Sequence, residues 1–228
     1  HPDDEYALEV ENEFGKNEMW YVVDCEPGAY LYCGLSKDTS KEEIEQRIKN
    51  NTITDILNKI EVKPGDCVFV KAGTIHAIGA GILICEIQQN SNCTYRMYDY
   101  DRKDKFGNKR ELHIKKALDV VNVKKYIPFR KKESEQDIGD INKVKSDTLV
   151  SCKYFECFKY NVSGECNIKG DSASFISIII ISGSGEIKVD SLKNSEAEMF
   201  KAGDSFFVCA GQKNIKIVGT AEFIVTKL

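Results

Sequence analysis

The chain has 228 residues, 42% of them hydrophobic and 30% charged, the composition of a folded globular protein with room for one large or two small cored domains. A formal net charge of -4 gives no electrostatic reason to expect nucleic acid or an anionic membrane as partner, and no run of 18 apolar residues offers a membrane span. Nine scattered cysteines without a CxxC pair argue for reduced thiols in a cytoplasmic setting rather than for disulfides or a zinc ribbon.

The start, His-Pro-Asp-Asp-Glu, shows neither an initiator Met nor a signal peptide, so an upstream segment is expected to be missing. Residues 17–33 read as two strands around Glu26-Pro27-Gly28, which predicts a hairpin. Ser/Thr caps followed by Ile44, Ile48, Ile53, Ile56 and Leu57 predict a helical insertion over 38–60. Strands are expected at 67–70 and 81–89, around a loop at 71–80. An amphipathic helix is expected at 110–121, with His113 in a structural role inside it. The charged stretch 130–147 reads as a linker. Beyond 148 the chain is nearly all strand, at 149–162, 173–181, 185–190, 205–209 and 215–227, and predicts an antiparallel barrel or sandwich.

One twelve-residue phrase occurs twice, as VKPGDCVFVKAG at 62–73 and FKAGDSFFVCAG at 200–211. Each copy reads as a strand between two glycine turns, so two related β-domains are expected. Thr74-Ile75-His76 follows the first copy and Gln212-Lys213-Asn214 the second, which places any metal chemistry in the first domain. Gly65, Gly73 and His76 fit the pattern G-(x)5-P-x-G-(x)2-H, with Lys71 at the proline position, and this resembles the second half of the cupin signature. In cupins such a histidine points at a metal inside a jelly-roll barrel.

HPDDEYA, GKNEMWYVVD, AGTIHAIGAGILICEIQQ, TYRMYDYDRK and RELHIKKALDVV together resemble the short bacterial form of type I mannose-6-phosphate isomerase, a zinc enzyme. The resemblance implies a mainly β chain of two cupin-like jelly-roll β-barrels with a small helical insertion in the first. The corresponding division is a metal-binding domain at 1–129, a linker at 130–147 and a C-terminal domain at 148–228 without metal ligands. It also implies one Zn2+ per chain held by His1, Glu18 and His76, with a further Gln ligand lying two positions before His1. Two imidazoles and a carboxylate suit zinc and leave a position open for water or a substrate oxygen.

The same resemblance places Lys16, Glu86 and Arg96 in the substrate cavity. Lys16 and Glu18 are two apart on a predicted strand and so share a face, as Glu86 does with Ile84 and Gln88. Either Glu86 or Lys16 would carry the proton, and Arg96 would clamp the anion. Some relatives have an acid four residues before this arginine, where Asn92 stands here, so that position cannot supply the base. The implied activity interconverts mannose 6-phosphate and fructose 6-phosphate through a cis-enediol. The implied partner is a small sugar phosphate, with neither nucleic acid nor membrane, and the chain is expected as a monomer or weak homodimer. A sugar-phosphate-binding cupin without turnover, or an inactive fragment of the isomerase, is the alternative, with a cupin oxygenase as the more distant rival.

Overall fold

The computed structural model describes residues 1–128, 143–190 and 196–228. The chain divides into two compact units, His1–Phe129 and Arg130–Leu228.

The first unit begins with helix α1, Asp4–Glu11. Asp3 caps it by accepting from the Tyr6 amide, and Asn12 ends it in the left-handed region at φ 54°. Two three-stranded antiparallel sheets follow. One has strand β1 (Glu18–Cys25) between β4 (Cys67–Val70) and β6 (Ile82–Gln88); the other has β2 (Tyr30–Leu35) between β3 (Leu57–Glu61) and β5 (His76–Ile78). Glu18 sits opposite Val70 and Gln88, and Trp20 opposite Val68 and Glu86, so these six residues share one face. Trp20, Val68 and Val70 of that face pack with Leu31 and Cys33 of the second sheet.

The expected hairpin at 17–33 does not form. β1 and β2 lie in different sheets, and the turn at Glu26-Pro27-Gly28, with Gly28 at φ 76°, carries the chain from one to the other. Both strands are apolar enough to be central, and each takes its partners from farther along the chain. The helical insertion shrinks to α2 (Lys41–Lys49), capped by Ser40, and a single 3-10 turn at Ile53–Ile56. Leu57 to Ile60 belong to β3 instead, held by pairing with β2: Ile60 lies opposite Leu31, Lys59 opposite Tyr32 and, after a shift in register, Leu57 opposite Leu35. The third helix, α3, is shorter than expected, at Ile114–Val120, and His113 is its N-cap rather than an interior residue.

In the second unit the strands are β7 (Lys143–Ser151), β8 (Glu156–Lys169), β9 (Ile176–Val189), β10 (Glu198–Lys201), β11 (Ser205–Val208) and β12 (Asn214–Lys227). They form one sheet ordered β10-β9-β12-β8-β7, with β11 also on β9. Ile178, Ile180, Ile187, Phe200, Ile215, Ile217 and Phe223 form its core. Gly164, Gly219 and Gly185 stand side by side across β8, β12 and β9. A Cβ on Gly219 would strike the Ser184 carbonyl and one on Gly185 the Val218 carbonyl, so neither of these positions admits a side chain.

The linker expected at 130–147 falls largely outside the described residues, and its last five residues are strand. From Val144 to Thr148 half-buried and exposed positions alternate, and the polar side chains at 145 and 147 hide that pattern from a composition reading. The chain is mainly β as expected, but the described hydrogen-bond ladders are open sheets and not two closed barrels. Closure requires the outer strands to pair, and β7 and β10 each keep a single partner.

The repeated phrase is a repeated structure. Gly65 and Gly203 sit at φ 91° and 89°, and Asp66 and Asp204 accept from the amides of Lys63 and Lys201 at 2.9 and 2.8 Å. Gly73 and Gly211 then turn at φ 81° and 87°. In both copies the third residue after the last glycine opens the next strand, His76 in one and Asn214 in the other.

Candidate metal centre and cavity

His1, Glu18 and His76 come together from three directions. Glu18 opens β1 in one sheet, and His76 opens β5 in the other. His1 is tied down by its carbonyl, which accepts from the Gly73 amide at 2.7 Å. Their ligand atoms all lie within 4.8 Å of one another, the one such cluster of three among the described residues. His1 Nε2 is 3.0 Å from Glu18 Oε1 and His76 Nε2 is 3.7 Å from Glu18 Oε2.

The hydrogen bonds behind the rings decide which atoms face inward. His1 Nδ1 lies 2.7 Å from the Cys93 carbonyl and His76 Nδ1 2.8 Å from the Thr74 carbonyl. A carbonyl only accepts, so each Nδ1 carries the proton and each Nε2 is turned to the carboxylate. Burial, then the neighbouring His1, pushes the His76 pKa down against the pull of Glu18, leaving its Nε2 lone pair bare. Burial pushes the Glu18 acid up, but the bond from His1 and the charges of His76, His1 and Lys16 outweigh it and hold Glu18 at about 2. Between His76 Nε2 and Glu18 Oε2, 3.7 Å apart, a lone pair and an anion thus face each other. A divalent cation resolves that conflict. Zinc at about 2.0–2.2 Å from nitrogen and oxygen would space its ligands about 3–4 Å apart, and the two His–Glu18 contacts are 3.0 and 3.7 Å. The outward Nδ1–H bonds to carbonyls are the support that metal-binding imidazoles normally have.

Around this centre the supports are dense. Trp20 Nε1 donates to Glu18 Oε2 at 3.1 Å, and the indole meets the His76 ring edge-on at 5.2 Å. Asn17 donates to Gln89 Oε1 from both its amide and its side chain, Gln89 Nε2 donates to Asp4, and the Ala72 amide donates to Asn17 Oδ1. This chain of bonds locks the residues on either side of Lys16 and Glu18. Gly15 belongs to the same clamp, because a Cβ there would collide with the backbone of Asp3 and Asp4.

His1 and His76 also line a cavity of about 210 Å³, with Arg96, Tyr98 and Tyr100 on its wall. Arg96 Nη1 donates to the Glu111 carbonyl at 3.1 Å. Arg47 pairs with Glu43 and Asp55, and Arg102 and Arg110 share Asp99; among the described arginines, Arg96 alone has no carboxylate partner. Its positive charge is left for something else.

A family model described as mannose-6-phosphate isomerase, cupin domain, matches residues 145–228. A mannose-6-phosphate isomerase of Bacillus subtilis is 42% identical over 229 residues, covering 100% of this chain and 70% of that protein. The chain belongs to the mannose-6-phosphate isomerase family. A mannose-6-phosphate isomerase of Streptococcus mutans is 37% identical over 99% of this chain and 68% of its own length. The crystal structure of the Bacillus subtilis mannose 6-phosphate isomerase superposes with a TM-score of 0.88 at 36% identity, over 100% of this chain and 70% of that one. The cupin match falls on the second unit, whereas the metal-ligand cluster lies in the first.

Within this isomerase framework the other expected site residues take distinct places. Lys16 is buried, its Nζ 3.6 Å from Glu18 Oε1. Glu86 is exposed on β6 beside Glu18; partial burial, then the Glu18 charge, pushes its pKa up against the pull of Lys16. Arg96 lines the cavity with the two histidines. Asp3 caps α1, and Asp4 anchors Gly15 and Gln89 by accepting from the Gly15 amide and Gln89 Nε2. Sequence reasoning missed Trp20, Asn17 and Gln89, and it missed the carbonyls of Thr74 and Cys93. Only the strand phase of Trp20 beside Glu18 carried a signal for any of them.

Proposed function

We propose that the chain is a zinc-dependent aldose-ketose isomerase that interconverts mannose 6-phosphate and fructose 6-phosphate through a cis-enediol. The observation that carries this reading is a cavity lined by two members of a metal-ready triad, His1 and His76, and by Arg96, a guanidinium without a carboxylate partner. His1, Glu18 and His76 would hold one zinc ion, which when bound supplies a Lewis acid to polarise the substrate's carbonyl or adjacent hydroxyl. Arg96 binds the anionic part of the substrate with its free donors. Glu86 and Lys16 flank Glu18 and are the two groups placed to move a proton between C2 and C1. Lys16 already has its ammonium on Glu18, which favours Glu86 as the carrier. The hydrogen leaves one carbon as a proton and the other carbon is reprotonated, so no oxidant or reductant is consumed. Nine cysteines that form no disulfide suit a reducing cytoplasm, the setting we propose for it.

The test is conversion of fructose 6-phosphate in D2O by the zinc-loaded chain, followed by NMR. Mannose 6-phosphate carrying deuterium at C2 is the expected product. Sugar-phosphate binding without any product would instead identify a binding module, the alternative reading.

A further inference from the structure

We propose that His113 is a positioning residue for Arg96, setting the anion-binding end of the cavity; this rests on the isomerase reading above. His113 is the N-cap of α3, a position where a side chain ordinarily accepts from the helix's own first amides. It makes no such bond. Its Nδ1 accepts instead from the Arg96 amide at 3.2 Å, and its own amide donates to the Arg96 carbonyl at 2.7 Å. The Glu111 carbonyl two residues earlier takes the Arg96 guanidinium. Three bonds from residues 111–113 therefore end on one arginine.

The helix transmits the grip. The Ala117 amide donates to the His113 carbonyl at 2.9 Å, and Ala117, which is buried, lines the same cavity as Arg96. The imidazole thus trades a cap for control over where the Arg96 backbone sits. Because Nδ1 accepts, the ring is the tautomer with its proton on Nε2. Asparagine places an acceptor oxygen at the Nδ1 position, while leucine keeps bulk and removes the acceptor.

His113→Leu is expected to raise KM for fructose 6-phosphate about ten-fold while kcat stays within about three-fold. Inorganic phosphate should weaken as a competitive inhibitor by the same factor, with zinc content unchanged. His113→Asn should bring both values back to within about three-fold of the parent. In an Arg96→Ala background His113→Leu should add nothing to KM. Should His113→Leu not fold, His113→Gln, which displaces the acceptor by one bond, takes its place. A parental KM in His113→Leu, failure of asparagine to rescue, or an undiminished His113 effect without Arg96 would overturn the proposal. If the parent chain binds phosphate but turns over no sugar, the isomerase reading fails, and the phosphate affinities of the same variants still decide the role of His113.

Discussion

His76→Ala is expected to lose bound zinc and to lower kcat/KM for fructose 6-phosphate by at least about 10³-fold, because the Lewis acid contributes several kcal/mol to the transition state. His76 would supply the ligand from the second sheet, so its removal would leave only Glu18 and His1 to hold the ion. The chain should remain folded. His76 is a partly exposed residue at the head of a three-residue strand, and although Trp20 loses its edge-on ring contact, the mutual packing of Trp20, Leu31, Val68 and Val70 is kept. Metal analysis, circular dichroism and turnover on one preparation check all three statements. Full zinc content and undiminished turnover in His76→Ala would remove this histidine from the centre.

Glu86→Gln should act differently, lowering kcat by about 10²–10⁴-fold with the metal retained and KM nearly unchanged, the range for losing a general acid-base group. The amide keeps the side chain's size on an exposed strand position and gives up only its proton chemistry. A pH signature accompanies it. Partial burial and the Glu18 charge raise the Glu86 pKa, so as pH falls this carboxylate takes up a proton earlier than an ordinary glutamate. Parent turnover should therefore decline on the acidic side, and that limb should vanish from the residual activity of Glu86→Gln. A variant with full kcat would transfer the proton-carrying role to Lys16.

What could be read from the sequence was what is local. The Gly-Asp turns of the repeated phrase are set by a glycine at positive φ and by an aspartate accepting from an amide three residues earlier, so each copy announces its own turn. His76 follows from the phrase as the residue that opens the next strand, whereas Lys16, expected on the same strand as Glu18, lies just before β1 and reaches Glu18 at 3.6 Å from there. What escaped was set by distant partners. Nothing between residues 17 and 33 says that β1 will pair with β4 and β6 while β2 pairs with β3 and β5. Ile53, Ile56 and Leu57 keep helical spacing, yet Leu57 begins a strand because β2 offers it a ladder. The carbonyls of Cys93 and Thr74, which aim the two imidazoles, belong to every residue type and leave no mark in a sequence. Arg96 was visible as an arginine; that it alone lacks a carboxylate among the described arginines emerges only when Asp99 is seen to hold Arg102 and Arg110.

A metal held by His1, Glu18 and His76 should be required for sugar-phosphate isomerisation. The most direct measurement is a titration of the chelated, metal-free chain with zinc, following conversion of fructose 6-phosphate to mannose 6-phosphate. No turnover at the start, then a linear rise and a plateau at one zinc per chain, is the expected result. Turnover by a chain shown by metal analysis to hold no metal would contradict it.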